Sequence, residues 1–251
     1  MKILVTGSDS GIGKYLVEKL PNCVEFNRKT NLEKIKKTKF DVIIHCAYNK
    51  TIFVDDFNLY KYTNDNVLLT YELTKIPCKK FIYFSTVDVY PKDEEKHNEQ
   101  ESIKVKDIDS IYGITKLMSE QIVKNKCKNH LILRPVALLG PYMKPNSLTK
   151  ILDNEIISLS HISRLSYVLH KDILEFLKFA LEKDIMGIFN IGSGQNSYLI
   201  HIAKKINKNY WYWGKYVYDI GNIDVKKINE MFPNFAKSFD CILDEFLEER
   251  K

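Results

Sequence analysis

The chain has 251 residues, 45% hydrophobic and 28% charged, with a formal net charge of +6. Such a balance belongs to an ordinary globular protein, long enough for one domain with a sizeable core or for one domain and a small lobe. The lysines are scattered through stretches such as EKIKKTK and KNKCKN; these read as solvated helix faces, and no zinc-finger spacing or RNA-binding aromatic motif accompanies them, so nucleic acid is not an expected partner.

The cysteines Cys23, Cys46, Cys78, Cys127 and Cys241 form no CxxC pair, and the histidines lack metal-ligand spacing. Reduced thiols, a cytoplasmic location and no metal site are therefore expected. No apolar run has the length of a membrane span, so no membrane partner is expected. MKILVTG begins as a strand, which leaves no room for a signal peptide.

In chain order, KILVT (2–6) is a short apolar strand followed by a glycine turn and an amphipathic helix, GSDSGIGKYLVEKL. CVEF (23–26) and FDVIIHCA (40–47) are further strands, and DNVLLTYELTKI (65–76) has helical spacing. KKFIYFST (79–86) is a strand, 91–110 a polar surface loop, YGITKLMSEQIVKN a helix and HLILRPV (130–136) a strand. Strands alternating with helices predict a doubly wound parallel α/β sheet of Rossmann type, with strands that are apolar throughout because both faces are covered. After Pro141 the pattern loosens. SLTKILDNEIISL, KDILEFLKFALEK and DCILDEFLEERK read as helices, GIFNIGSG (187–194) as a strand ending in a glycine turn. The expected division is a dinucleotide-binding domain over 1–140 and a small, mostly helical substrate lobe over 141–251, with some strands returning to the main sheet.

Gly7, Gly11 and Gly13 fall between the first strand and the first helix. Glycine there lets the backbone approach a pyrophosphate, and the helix N-terminus supplies N–H donors and positive dipole. About 20 residues on, where an acid usually holds the adenosine ribose, stand Asn27 and Arg28. A guanidinium suits a ribose 2′-phosphate, so NADP(H) is favoured and NAD(H) is the alternative, with Glu25 able to reach the ribose if the strand is shifted.

SIYGITK (110–116) places a phenol and an ammonium four residues apart on one helix face. By itself that pair is as readily a coincidence of two plentiful residues. It stands, however, in an ordered series: TGSDSGIG (6–13), DVIIHCA (41–47), NVLLTYEL (66–73), FSTVDVY (84–90), YGITK (112–116), LRPVALLGP (133–141), HKDI (170–173) and FNIGSG (189–194). The series resembles the extended short-chain dehydrogenase/reductase family, the NAD(P)-dependent sugar-nucleotide epimerases, dehydratases and reductases, over nearly the whole chain. The chain departs from that pattern in a GxxxGxG spacing, where extended members show GxxGxxG, and in a short second lobe, which implies a trimmed substrate pocket.

The resemblance implies that Tyr112 is the general acid/base. Lys116 holds the nicotinamide ribose and lowers the phenol's pKa, and Thr86 hydrogen-bonds the substrate oxygen, with Ser85 the neighbouring candidate. It assigns cofactor contacts to Gly7, Ser10, Gly11, Ile12, Gly13, Asn27, Arg28, Cys46, Ala47, Tyr48, Asn66, Ser85, Tyr112, Lys116 and Pro135, with Asn66 mainly structural. His45 lies near the cofactor in the family and is equally a buried, satisfied histidine; His170, Asp172 and Asn190 are structural. The aromatic run 210–218 could stack on a base, although a packed strand is the simpler reading. Dehydratases of the family resemble STDEVY where this chain has STVDVY; Val87 takes the Asp position, so elimination is not expected. The Cys and His of double epimerases such as GDP-fucose synthase are absent too. What remains is a ketoreductase acting on a nucleotide-linked keto sugar, with a C4 epimerase as the alternative. A non-catalytic cofactor-binding regulator is disfavoured because Thr86, Tyr112 and Lys116 are all present. Family members often dimerise through the YxxxK helix, so a homodimer using 117–125 is expected.

Overall fold

The computed structural model describes residues 1–49, 51, 54–208 and 213–250. Six parallel strands lie edge to edge in the order Cys23–Phe26, Ile3–Thr6, Phe40–His45, Cys78–Phe84, His130–Pro135 and Gly187–Ile191. The strand after the second helix, Phe40–His45, does not extend the sheet outward. It crosses to the other side of Ile3–Thr6, with Val5 paired to Glu25 on one flank and Ile44 on the other. The crevice of an open α/β sheet forms at such a reversal, beyond the carboxyl ends of the strands.

Alternate residues of each strand bury into opposite layers, as the period of two requires. Ile3, Val5, Ile44, Ile82 and Leu133 pack with Leu16 of the helix Gly11–Lys19 and with Ile173, Phe176 and Leu177 of the helix His170–Glu182. Leu4, Ile43, Phe81, Tyr83 and Ile132 pack with Leu73 and with Val123 of the helix Ile111–Lys126. Covering both faces explains why the strands carry no polar alternation, and each fully buried Leu or Ile contributes about 1.5–3 kcal/mol.

A third cluster joins Leu148, Ile151, Leu165, Leu199, Ile202, Leu243 and Phe246 in the C-terminal region. Its helices are Ser147–Leu152, Leu199–Lys205 and Phe239–Glu249, whereas Lys226–Met231 packs Ile228 into the main core. The chain between them returns to the main sheet through Gly187–Ile191.

Several segments differ from the sequence reading. The helix expected at 65 begins at Leu59, and Asn64–Leu68 is a π-helical turn before Leu69–Thr74. The helix expected through 147–159 stops at Leu152, with Asn154 at φ 57° just beyond. The segment 91–110 is not wholly loop: Lys96–His97 pairs with Asn222–Ile223. Residues 210–212 of the aromatic run lie outside the described residues; the rest forms no strand beyond a single bridge between Tyr216 and Leu159. No described helix is long and apolar enough to cross a membrane.

Candidate active site

The first strand ends at Thr6, and the chain turns through Gly7 at φ 73°. A Cβ on Gly7 would sit 2.9 Å from the Ala47 backbone nitrogen, and one on Gly13 would collide with the Gly7 carbonyl oxygen. These two glycines bring the turn, the third strand's end and the helix together. Gly11, at φ 56°, has nothing within 4 Å of its missing side chain. Ser10 caps the helix with extended backbone and no side-chain hydrogen bond. It stands midway between Gly7 and Gly13, where GxxGxxG has its central glycine, so the turn keeps the outer two glycines of that spacing and lacks the central one.

The turn opens into a cleft of about 910 Å³, within the usual range for a small-molecule site. Every residue assigned above to the catalytic or cofactor set lines it except Asn66. Asn66 lies behind the wall: its side-chain oxygen accepts the Asn49 N–H at 2.7 Å, and its carbonyl accepts the hydroxyls of Ser119 and Thr70 at 2.9 and 3.0 Å. Asn66 sits within the π-turn Asn64–Leu68 and joins it to Asn49 and to Ser119 of the helix Ile111–Lys126.

At the adenosine end, Asn27 and Arg28 line the cleft and Phe26 forms its floor, while Glu25 points away. The sequence reading missed Asp9, whose carboxylate accepts from the Asn27 amide at 2.9 Å. It also missed Tyr142. That residue's carbonyl accepts the Gly11 N–H at 2.7 Å, its hydroxyl reaches Glu18 at 2.9 Å, and Lys14 lies 4.1 Å from its ring centre. Nothing in the polar loop after Pro141 signals these contacts in advance.

At the other end stands the pair from SIYGITK. Ser110 caps the helix Ile111–Lys126 by accepting the Gly113 N–H at 3.0 Å. The glycine between Tyr112 and Lys116 is required, because a Cβ there would strike the Asp88 carbonyl oxygen. That close crossing sets Tyr112 beside the short turn Val87–Val89, which Thr86 caps by accepting the Asp88 N–H at 3.2 Å. Of the two candidate hydroxyls, Ser85 is committed to Glu120 at 2.5 Å, whereas Thr86 touches the phenol.

Lys116 is buried and donates to the Phe84 carbonyl at 2.7 Å. Burial brings its pKa down to about 8. Tyr112 differs from expectation. Burial, and then Tyr48, Asp88 and Tyr83, hold its pKa well above the usual phenol value, and the Thr86 contact opposes them. The Lys116 ammonium is directed elsewhere. Its Nζ lies 5.8 Å from the phenol's ring centre, turned onto the strand end.

Beneath the floor, Arg134 grips Glu120 through Nε at 2.9 Å and Nη2 at 2.6 Å, and its Nη1 donates to the Tyr90 hydroxyl at 2.8 Å. Tyr90 passes its hydrogen to Asn190 at 2.9 Å. His45 is the satisfied histidine, bonded to Thr6 and Thr70. His170 lines the cleft as well, against Gly140.

The donor set fits a dinucleotide. The glycine approach and the helix N-terminus suit a pyrophosphate, and the Lys116 ammonium keeps two further N–H donors for a ribose beside the phenol.

Known structures share the fold. The chain superposes on a dTDP-4-dehydrorhamnose reductase from Clostridium acetobutylicum with a TM-score of 0.81 and 16% identity, covering 99% of each chain. A Bacillus anthracis dTDP-4-dehydrorhamnose reductase in complex with NADP gives 0.79 and 19%, again covering 99% of each. UDP-glucuronic acid 4-epimerase from Bacillus cereus, in complex with UDP-glucuronic acid and NAD, gives 0.77 and 20%, covering 99% of this chain and 98% of that one. No curated protein matches by sequence. The model of the NAD dependent epimerase/dehydratase family matches residues 3–192. The chain belongs to that family, and shares its fold with these epimerase and reductase structures.

Proposed function

We propose that this enzyme is a reductase of a nucleotide-linked keto sugar, such as a 4-keto-6-deoxyhexose, with Tyr112 as the general acid. The observation that carries the reading is the placing of Thr86 and Tyr112 together at one end of the cleft, with the exposed Arg28 on its rim. Two hydroxyls side by side can both meet a carbonyl oxygen, and Tyr112 can deliver its hydrogen there. The Arg28 guanidinium suits the phosphate of NADPH, a reductant. The reduced nicotinamide supplies the hydride. As charge grows on the substrate oxygen, Thr86 donates a hydrogen bond to it and Tyr112 protonates it. Lys116 orients the cofactor ribose, while Phe84 fixes the ammonium. Two structures of similar fold are reductases of this kind, although both lie under 25% identity.

NADP(H) is the proposed cofactor because the Arg28 guanidinium stands exposed on the adenosine rim. Asp9 is the opposing charge, restrained by Asn27. A homodimer is proposed through the exposed Leu68 and Tyr71 together with Ile111 and Met118 of the YxxxK helix. Light scattering in solution tests that assembly, and a monomer would reject it.

The decisive assay is incubation with NADPH and a dTDP- or UDP-linked 4-keto-6-deoxyhexose. Cofactor oxidation with a reduced sugar product is expected. No oxidation, alongside interconversion of two hexose nucleotides with NAD, would make the enzyme a C4 epimerase instead.

A further inference from the structure

Residues 140–146 form a strap along the cleft, and Met143, Lys144, Pro145 and Asn146 line it. Both ends of the strap are fixed. At one end Gly140, at φ 148°, lies against His170, where a Cβ would stand 2.7 Å from the imidazole Cγ. At the other, Asn146 forms a capping box with Thr149, accepting its N–H at 3.1 Å and donating its own N–H to the Thr149 hydroxyl at 2.9 Å. Between them the strap reaches from the glycine turn to the catalytic end. Tyr142 grips the helix Gly11–Lys19: its carbonyl accepts the Gly11 N–H at 2.7 Å, its ring centre lies 4.1 Å from Lys14 Nζ, and its hydroxyl donates to Glu18 at 2.9 Å. Lys144 Nζ lies 4.8 Å from the ring centre of Tyr48, the ring that also faces Tyr112. With the strap in this position the cleft still measures about 910 Å³, so the strap covers the space and does not fill it.

The closed position carries costs of its own. Tyr142 sits at φ 63°, in the left-handed region that favours glycine. His170 is buried beneath Gly140, and neither of its ring nitrogens makes a hydrogen bond. Burial pushes its pKa down to about 4, against the pull of the Pro141 carbonyl. A buried polar atom without a partner is destabilising, and lifting the strap would give both nitrogens water. The strap is thus closed by a few contacts and opposed by strain and desolvation. We propose that residues 140–146 are a gate over the dinucleotide, latched by Tyr142 on the first helix, which lifts to let the cofactor enter and leave. The proposal rests on the dinucleotide reading of the cleft. Tyr142, Lys14 and Glu18 do not line the cleft, so they are positioning residues that act through the strap. The cleft has room for its occupant under the closed strap, so the same latch holds with the cleft empty or filled. Weakening the latch therefore speeds entry and exit alike and leaves affinity nearly unchanged.

The test is stopped-flow mixing of the full chain with NADPH, read by nicotinamide fluorescence, with NADH in its place if NADPH does not bind. Tyr142→Ala should raise the association and dissociation rates together by about tenfold, and Glu18→Ala by about fivefold, with Kd within about twofold in both. Glu18→Gln, whose amide oxygen still accepts the Tyr142 hydroxyl, should keep both rates within about twofold of the wild type. Tyr142 and Glu18 are exposed, so neither change unpacks the core. A dissociation rate that rises alone, with Kd weakened in proportion, would make Tyr142 an ordinary part of the binding surface. Either that result or unchanged rates in Tyr142→Ala overturns the gate while leaving the dinucleotide reading intact. Binding of neither cofactor by the wild type overturns both.

Discussion

The Lys116 ammonium donates to the Phe84 carbonyl at 2.7 Å, so the cation of the YxxxK pair is seated on the end of a sheet strand and not on its phenol. Burial there brings its pKa down to about 8 from the usual lysine value. Two opposite pH effects follow. The native state binds fewer protons than the unfolded chain between about pH 8 and the unfolded lysine value near 10.4, so this group makes stability rise with pH in that window. Cofactor binding needs the ammonium, so kcat/KM for NADPH should fall as pH rises past about 8. Profiles of NADPH kcat/KM and of thermal melts, measured on the same samples, check both signs. Lys116→Met should remove both slopes.

Tyr112→Phe removes the proton donor and little else, since the ring keeps its contact with Tyr48 at 5.8 Å between centres. Keto-sugar reduction should drop by about 10²–10⁴-fold, the usual weight of a positioned acid. Fluorescence titration with NADPH should give unchanged affinity. Activity close to wild type would remove Tyr112 from the chemistry.

The legible parts of this molecule were those that local sequence dictates. Ile3–Thr6 and Phe40–His45 are apolar throughout because helices cover both faces. The glycines announce a close approach whatever lies around them. Tyr218 escaped because it enters the cleft from a loop with no periodicity, across 130 residues of chain, and Tyr142 because it meets the glycine turn through its backbone carbonyl, which no side-chain pattern announces. The π-turn that holds Asn66 was not legible, because it leaves the helical spacing of apolar residues nearly intact. Leu59–Thr63 was missed because LYKYT buries only Tyr62. That the Lys116 ammonium seats on the Phe84 carbonyl was not legible, because helical spacing says which face a side chain shares and not which backbone group it meets.

Glycine substitutions should separate packing from backbone strain. Gly113→Ala drives a methyl into the Asp88 carbonyl at the crossing that places Tyr112 beside Thr86. It should lower both the melting temperature and kcat. Gly11→Ala meets no atom and carries only the cost of positive φ, about 1–2 kcal/mol. Equal losses in the two variants would mean that the close crossing does not set the position of Tyr112.

The Glu120–Arg134 pair is fully desolvated, with Glu120 at 0% exposure and Arg134 at 3%. Removing one partner strands the other charge, so Glu120→Gln or Arg134→Met should each cost about 3–5 kcal/mol. The double variant Glu120→Leu with Arg134→Met should lose less than the sum, because no charge is left buried. Urea unfolding of the three variants measures the coupling. Strict additivity would show that the two residues act independently.

His45 sets the acid limit. Thr6 Oγ1 accepts N–H groups from both Cys46 and Ala47 at 3.1 Å, so its own hydrogen points at His45 Nδ1, 2.7 Å away. The imidazole proton is therefore on Nε2 and is donated to Thr70 Oγ1 at 2.9 Å, while the Thr70 hydroxyl continues to the Asn66 carbonyl at 3.0 Å. A second proton on Nδ1 would face a hydroxyl with no lone pair left. Burial, aided by the Lys116 charge, accordingly brings the histidine down to about 3. Below the unfolded value near 6.5, the unfolded chain takes up a proton that the native state refuses. Stability is thus lost as pH falls, by about 1.4 kcal/mol per unit from this residue alone. His45→Gln can still accept from Thr6 and donate to Thr70 without titrating. Urea unfolding at steps between pH 6.5 and 4 should show a shallower slope for the variant than for the wild type, and parallel slopes would contradict the neutral, locked imidazole.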